Sequence, residues 1–361
     1  MPQWELGTAM LFSIDEDTGS RIVGWVMPDN PATTPKVVIH LGPEHHVVID
    51  AFVVRPLLRE QGLHNTGVCG FVVDENNCPG VTAAGHLEIK DADNHILIYR
   101  RRDGSQLVDQ KFLRVETQLF RSHSLDDALI ARFQMSYKSL ELLPEETTRS
   151  IFAISFTNSL FASGRIFWRV WEPMVRDRNF KAGILLREPF EELSERLLIL
   201  KWASLSGANS TAAILGQTVQ LCAKTFCNVN LSDLTALQDL LSRPSDELHA
   251  ILYNPIVYQL AAPNAFDPPR TPETAAALDS LAEMDAVGVR DDAGAFVRLV
   301  AAVLDLPDQL PDISPRTSQT VIGLAERLRE MGPARALIEK DLEVYSEVAR
   351  VLAPRPADQF E

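Results

Sequence analysis

The stretch from Ser150 to Ser204, SIFAISFTNSLFASGRIFWRVWEPMVRDRNFKAGILLREPFEELSERLLILKWAS, constrains the fold most, because its apolar rhythm reads as strand, loop, helix, strand, helix. Ile151 to Phe156 is a short apolar run that gives way to Thr-Asn-Ser, the signature of a strand handing over to a loop. From Ser163 onward, Ile166, Phe167, Val170, Trp171, Met174 and Val175 recur at helical spacing, with Arg165, Arg169 and Arg176 on the other face. Lys181 to Leu186 reads as a second strand. Pro189 then falls in a first helical turn, where its missing N–H costs nothing, and Phe190 to Leu200 continues as a helix.

Two such strands joined by one crossover helix are expected to be parallel neighbours. Their carboxyl ends would open a crevice in which backbone N–H groups and helix dipoles favour an anion. The loop 157–165, TNSLFASGR, adds hydroxyls, a glycine and an arginine, so phosphate or sulfate is the natural guest. The chain contains neither a Walker A sequence nor a Rossmann GxGxxG.

An anion must find a local basic pocket here, since the formal charge is -15. That excess of carboxylates argues against general binding to nucleic acid or an anionic membrane. Arg165, Arg169, Arg187, Arg196 and Lys201 are the cations within reach in sequence. No apolar run has membrane-spanning length and the first residues do not read as a leader, so a cytoplasmic protein without a transmembrane segment is expected. Cys69, Cys78, Cys222 and Cys227 lack paired CxxC spacing and are expected to be reduced thiols, with no zinc site.

Residues 1–115 have a different texture. Val- and Ile-rich runs at Arg21 to Val26, Lys36 to Leu41, His46 to Val54, Gly70 to Val73, His86 to Lys90 and His95 to Tyr99 alternate with turn clusters such as PDNP, ENNCPG and DADNH. Short strands at regular spacing predict an all-β sandwich. His45, His46 and Trp25 could hold a sugar there, but a packed Trp beside solvated histidines is the plainer reading, and no site is assigned. Residues 101–150 connect the two parts, with a helix starting near Ser124. After Ser204 the pattern is mostly helical, with helices expected over 231–241, 245–253, 273–285, 293–304, 319–331 and 335–352.

The carboxyl-terminal half resembles the bacterial carbohydrate sulfotransferases that use 3′-phosphoadenosine 5′-phosphosulfate as donor. LLREPFEELSERLL (185–198) is similar to their strand-to-helix element, and NPIVYQLAA (254–262) to a segment after the catalytic core. ETAAALDSLAEMDAVGVRDDAGAFVRLVAAVL (273–304) resembles their helix, short Val-Gly strand and following helix, and IEKDLEVYSEVA (338–349) their closing helix. The resemblance covers about 150–352 and rests on order and character. It implies a P-loop-like parallel sheet with flanking helices over 116–361, preceded by the β-sandwich module of 1–115.

What the resemblance implies for the site is specific. Thr157, Asn158, Ser159, Ser163, Gly164 and Arg165 stand where the family holds the 5′-phosphosulfate, with Thr157 or Asn158 in place of its lysine. Arg187 matches the arginine on the 3′-phosphate. Ser194 comes one residue before the family's serine, whose place Glu195 takes, and a one-residue slip turns a helical side chain by about 100°. The long acceptor-binding segment of the family is replaced here by a single helix. Arg165 would stabilise the bridging oxygen, and His123 or Glu172 would serve as base. The expected acceptor is a saccharide or glycolipid hydroxyl in surface-polysaccharide biosynthesis. A binding or regulatory protein on the same fold, and a group transferase using a nucleotide-linked donor, are the alternatives.

Overall fold

The computed structural model describes residues 9–42, 44–102, 107–119, 124–205, 219, 222–224, 226–263, 273–307, 310 and 317–353. They form two compact units, one of residues 1–112, 129–163 and 174–180, the other of 113–128, 164–173 and 181–361. The units are therefore discontinuous in sequence, and residue 115 is the last of a strand.

The first unit holds β1 (Met10–Asp17), β2 (Arg21–Pro28), β3 (Lys36–His40), β4 (His46–Asp50), β5 (Val53–Val54), α1 (Pro56–Glu60), β6 (Val68–Asp74), β7 (Leu87–Asp91) and β8 (Leu97–Arg101). They make two antiparallel four-stranded sheets, ordered β1-β2-β6-β5 and β4-β3-β7-β8. Alternation drives them: in β3, Val37 and Ile39 are buried while Lys36, Val38 and His40 face outward. Each strand run expected between Arg21 and Tyr99 is met by a strand, with the run His46 to Val54 split into β4 and β5. β1 is an addition. Its end, Asp15-Glu16-Asp17, hides it from a pattern search, although Asp17 is anchored by the Tyr99 hydroxyl and by Arg101.

The remaining strands form a five-stranded parallel sheet flanked by helices. In chain order the elements are β9 (Lys111–Val115), α2 (Ser124–Ile130), β10 (Met135–Tyr137), α3 (Glu145–Ala153), β11 (Leu160–Gly164), α4 (Trp168–Asp177), β12 (Phe180–Leu186) and α5 (Pro189–Leu205). Then follow α6 (Leu234–Ser242), α7 (Asp246–Leu252), α8 (Pro255–Ala261), α9 (Thr274–Ala282), β13 (Ala286–Val289), α10 (Ala293–Val303), α11 (Gln319–Arg329), α12 (Gly332–Leu337) and α13 (Glu339–Leu352). The sheet order is β10-β11-β9-β12-β13.

Two expectations about the centre fail. Ile151 and Phe152 are not in a strand but in the last turn of α3, whose buried side is Thr147, Thr148, Ser150, Ile151 and Phe152. A short apolar run does not distinguish a strand from the buried end of an amphipathic helix, and Glu145 and Glu146 after Pro144 supply the helix start. The strand lies inside the expected loop instead, as β11, LFASG, with all five residues buried. Small residues such as Ser163 in a fully buried strand erase the apolar signal. β11 and β12 are also not neighbours, because β9 lies between them.

In the second unit, α5 packs Leu193, Leu197 and Leu200 into a helical core with Phe226, Leu237, Leu241, Leu252, Leu324 and Leu328. Each such side chain contributes about 1.5–3 kcal/mol by leaving water. α8 and α13 start back to back. Asn254, at φ 40°, accepts from the N–H groups of Lys340 and Asp341, while Asp341 accepts from those of Ile256 and Val257. Each helix thus satisfies the orphan donors of the other. Gly288 in β13 lets α10 approach, since a Cβ there would lie 2.6 Å from Cβ of Phe296.

Candidate functional site

In a parallel sheet the place for a ligand is the crevice outside the carboxyl ends of the strands. In the second unit β9 ends there on Glu116, Thr117 and Gln118, β12 on Arg187, and β13 on Arg290. α5 starts immediately after β12, so its first turns present Glu191, Glu192 and Glu195 beside Arg187.

These side chains are mutually engaged. Arg187, 1% exposed, donates from Nη1 to Glu195 at 2.5 Å and from Nε to Glu191 at 3.3 Å. Arg196 donates from Nε to Glu192 at 2.8 Å, and its Nη atoms reach the carbonyls of Ile251 and Thr117 at 3.1 and 2.6 Å. Arg114 forms ion pairs with Glu116 and with Asp126 of α2. Gln259 of α8 donates to the Glu116 carbonyl, and Arg290 approaches Gln118 at 3.5 Å. Thr317 adds a 3.4 Å contact from its hydroxyl to Glu191.

The electrostatics follow from this packing. Around Arg187 three guanidiniums (Arg187, Arg196, Arg290) face three carboxylates (Glu191, Glu192, Glu195), so the crevice is charge-balanced. Burial and the neighbouring Glu192 push the Glu195 carboxyl above its usual range, against the pull of Arg187. Burial, and then the like charge of Arg187, lowers Arg290. Four buried polar atoms here have no hydrogen-bond partner among the described residues: Nη2 of Arg187, Nε of Arg290, Oγ1 of Thr117 and Oε2 of Glu192.

The expected donor loop is dispersed. Thr157 and Ser159 stand before β11, at its amino end, where Thr157 donates to the Gln134 side chain at 2.8 Å and Ser159 accepts from the Gln134 N–H at 3.0 Å. Asn158 between them is exposed. A five-residue strand separates this end from the carboxyl end by roughly 16 Å. Ser163 and Gly164 belong to β11 itself rather than to a loop. Only Arg165, half-buried just beyond β11, lies at a carboxyl end. Ser194 is fully buried and donates to the Val321 carbonyl of α11 at 2.8 Å, so it joins two helices instead of lining the crevice. Glu172, on α4, pairs with Arg169 at 3.0 Å. His123 lies outside the described residues.

Arg187 was legible as an arginine between strand and helix. Arg290 carries the same signal, since it follows the short run Ala286 to Val289, and the rule that exposed Arg187 could have found it. Glu116, Thr117 and Gln118 could not be found that way, because Lys111 and Arg114 inside β9 make that strand look like a polar linker. The described residues hold no group of three or more His, Cys, Asp or Glu side chains suited to a metal ion. Nor is any described helix long and apolar enough to cross a membrane. Cys69, Cys78 and Cys222 are buried thiols outside any disulfide, and Cys227 is an exposed one. No protein-family model and no curated protein sequence matches this chain.

Proposed function

We propose that this protein has a sulfotransferase-like, P-loop-like sheet whose donor crevice is closed by internal ion pairs, and that it works as a binding or regulatory component of surface-polysaccharide assembly. The carrying observation is the state of Arg187: buried, and held by Glu191 and Glu195. In the resembling family this arginine meets a 3′-phosphate. Here a carboxylate occupies its fork. 3′-Phosphoadenosine 5′-phosphosulfate is polyanionic, and three carboxylates against three guanidiniums leave no surplus positive charge to receive it. The residues present do not fit the donor. The polysaccharide context rests on the resemblance of 185–198, 254–262, 273–304 and 338–349 alone.

One observation favours the transferase reading. Nη2 of Arg187, Nε of Arg290 and Oγ1 of Thr117 are buried donors without partners, as in a site awaiting an anion. Calorimetric titration with 3′-phosphoadenosine 5′-phosphate separates the two. The closed crevice predicts no binding by the native protein at about 1 mM nucleotide, the affinity of a site worth only about 4 kcal/mol. It also predicts binding in Glu195→Gln that disappears in Glu195→Gln/Arg187→Ala. Micromolar binding by the native protein, lost in Arg187→Ala, overturns the proposal in favour of a sulfotransferase with a saccharide or glycolipid acceptor.

A further inference from the structure

An open sheet edge presents a row of N–H and C=O groups, and folded proteins cover such rows. The first unit does so at three of its four antiparallel edges. Along β1, the N–H groups of Met10 and Phe12 donate to Thr147 and Ser150 of α3, at 3.0 and 3.4 Å. Along β8, the carbonyls of Leu97 and Arg100 accept from Tyr137 and Gln134, at 2.7 and 2.8 Å. β5 is two residues long and its register is broken against β6.

β4 has none of these devices. It is five residues long, contains no proline, pairs with β3 without a register shift, and has no strand on its other side among the described residues. The hydrogen bonds fix which groups face outward. The Leu41 N–H donates to the His45 carbonyl and the Ala51 N–H to Pro35, so the odd-numbered residues face β3. The backbone groups of His46, Val48 and Asp50 therefore face away from the sheet. Their side chains share the exposed face, with Val48 54% exposed.

We propose that β4 is a homodimerisation edge: two copies of this chain pair their β4 strands antiparallel about a two-fold axis at Val48. The strand is self-complementary in that register. Val48 meets Val48 of the second copy, and His46 meets Asp50 of the second copy on both sides of the axis. All outward backbone groups are then used, in about six hydrogen bonds. On the inward face Val47 comes opposite Ile49 of the second copy, an apolar pair at the closer spacing. An imidazole donor and a carboxylate placed symmetrically about an apolar centre is what a two-fold edge requires; a strand from a different protein would not impose that symmetry.

Sedimentation of the full chain over a range of concentrations tests this. A monomer–dimer equilibrium is expected. Val48→Pro removes only an outward N–H and so keeps the fold, which circular dichroism checks, yet it leaves the chain monomeric at every concentration used. His46→Asp sets a carboxylate against Asp50 of the second copy on both sides of the axis and raises the dimer dissociation constant by about tenfold. His46→Asp/Asp50→His restores the pairing and the dimer, at the cost of the exposed Lys36–Asp50 ion pair, which is worth little. A native protein that stays monomeric throughout overturns the proposal. So does a dimer untouched by Val48→Pro, or a charge-swapped variant no better paired than His46→Asp.

Discussion

Asp341 shows how a single side chain couples stability to pH in this chain. Burial pushes its carboxyl up to about 7, while the N–H groups of Val257 and Ile256 and the charge of Arg196 pull the other way. An acid whose pKa is higher in the folded protein binds more protons there than when unfolded. Its stabilisation is full below the unfolded value near 4 and is lost as pH rises through about 7. Urea unfolding should therefore show the native protein losing stability from pH 5 to pH 8, with that loss largely absent in Asp341→Asn. Equal slopes in the two proteins would remove Asp341 from the account. Arg187 is the other decisive residue. Its position could be read from the sequence, but its partners could not, because Glu195 looks like an ordinary solvated helix residue until burial is known.

At the level of elements, β13 and α10 meet over Gly288, and the contact leaves no room for a methyl group. Gly288→Ala should destabilise the protein by about 1–3 kcal/mol through overpacking against Phe296, as measured by chemical denaturation. A neutral substitution would mean that α10 moves away freely. Much of the element pattern was legible: β12 and α5 follow from the run Lys181 to Leu200, and the strands of residues 21–99 follow from alternation between turn clusters. What was hidden has a common physical cause. β9 carries Lys111 and Arg114 within a fully buried strand, and β11 carries Ser163, so neither looks apolar enough. α3 reveals only its apolar end, Ile151 and Phe152, which alone imitates a strand. Displacing one strand by those residues moved the expected anion loop to the amino end of β11, and with it Thr157, Asn158 and Ser159.

For the whole molecule, we propose that the carboxyl ends of β9, β12 and β13 serve structure rather than a nucleotide. A chain of formal charge -15 that nevertheless buries Arg114, Arg187 and Arg196 matches each of them with carboxylates. A thermodynamic cycle on Arg187 and Glu195 measures this directly, by denaturant unfolding of the native protein, Arg187→Met, Glu195→Gln and the double variant. The ion-pair account predicts a loss of roughly 3–5 kcal/mol in Arg187→Met, because Glu195 and Glu191 are left beside an apolar side chain. It predicts a coupling of about 1–3 kcal/mol between the two sites, so that the double variant is more stable than the sum of the single losses allows. An Arg187→Met protein as stable as the native one, or more stable, with no coupling to Glu195, would show an arginine kept for a ligand and would contradict the account.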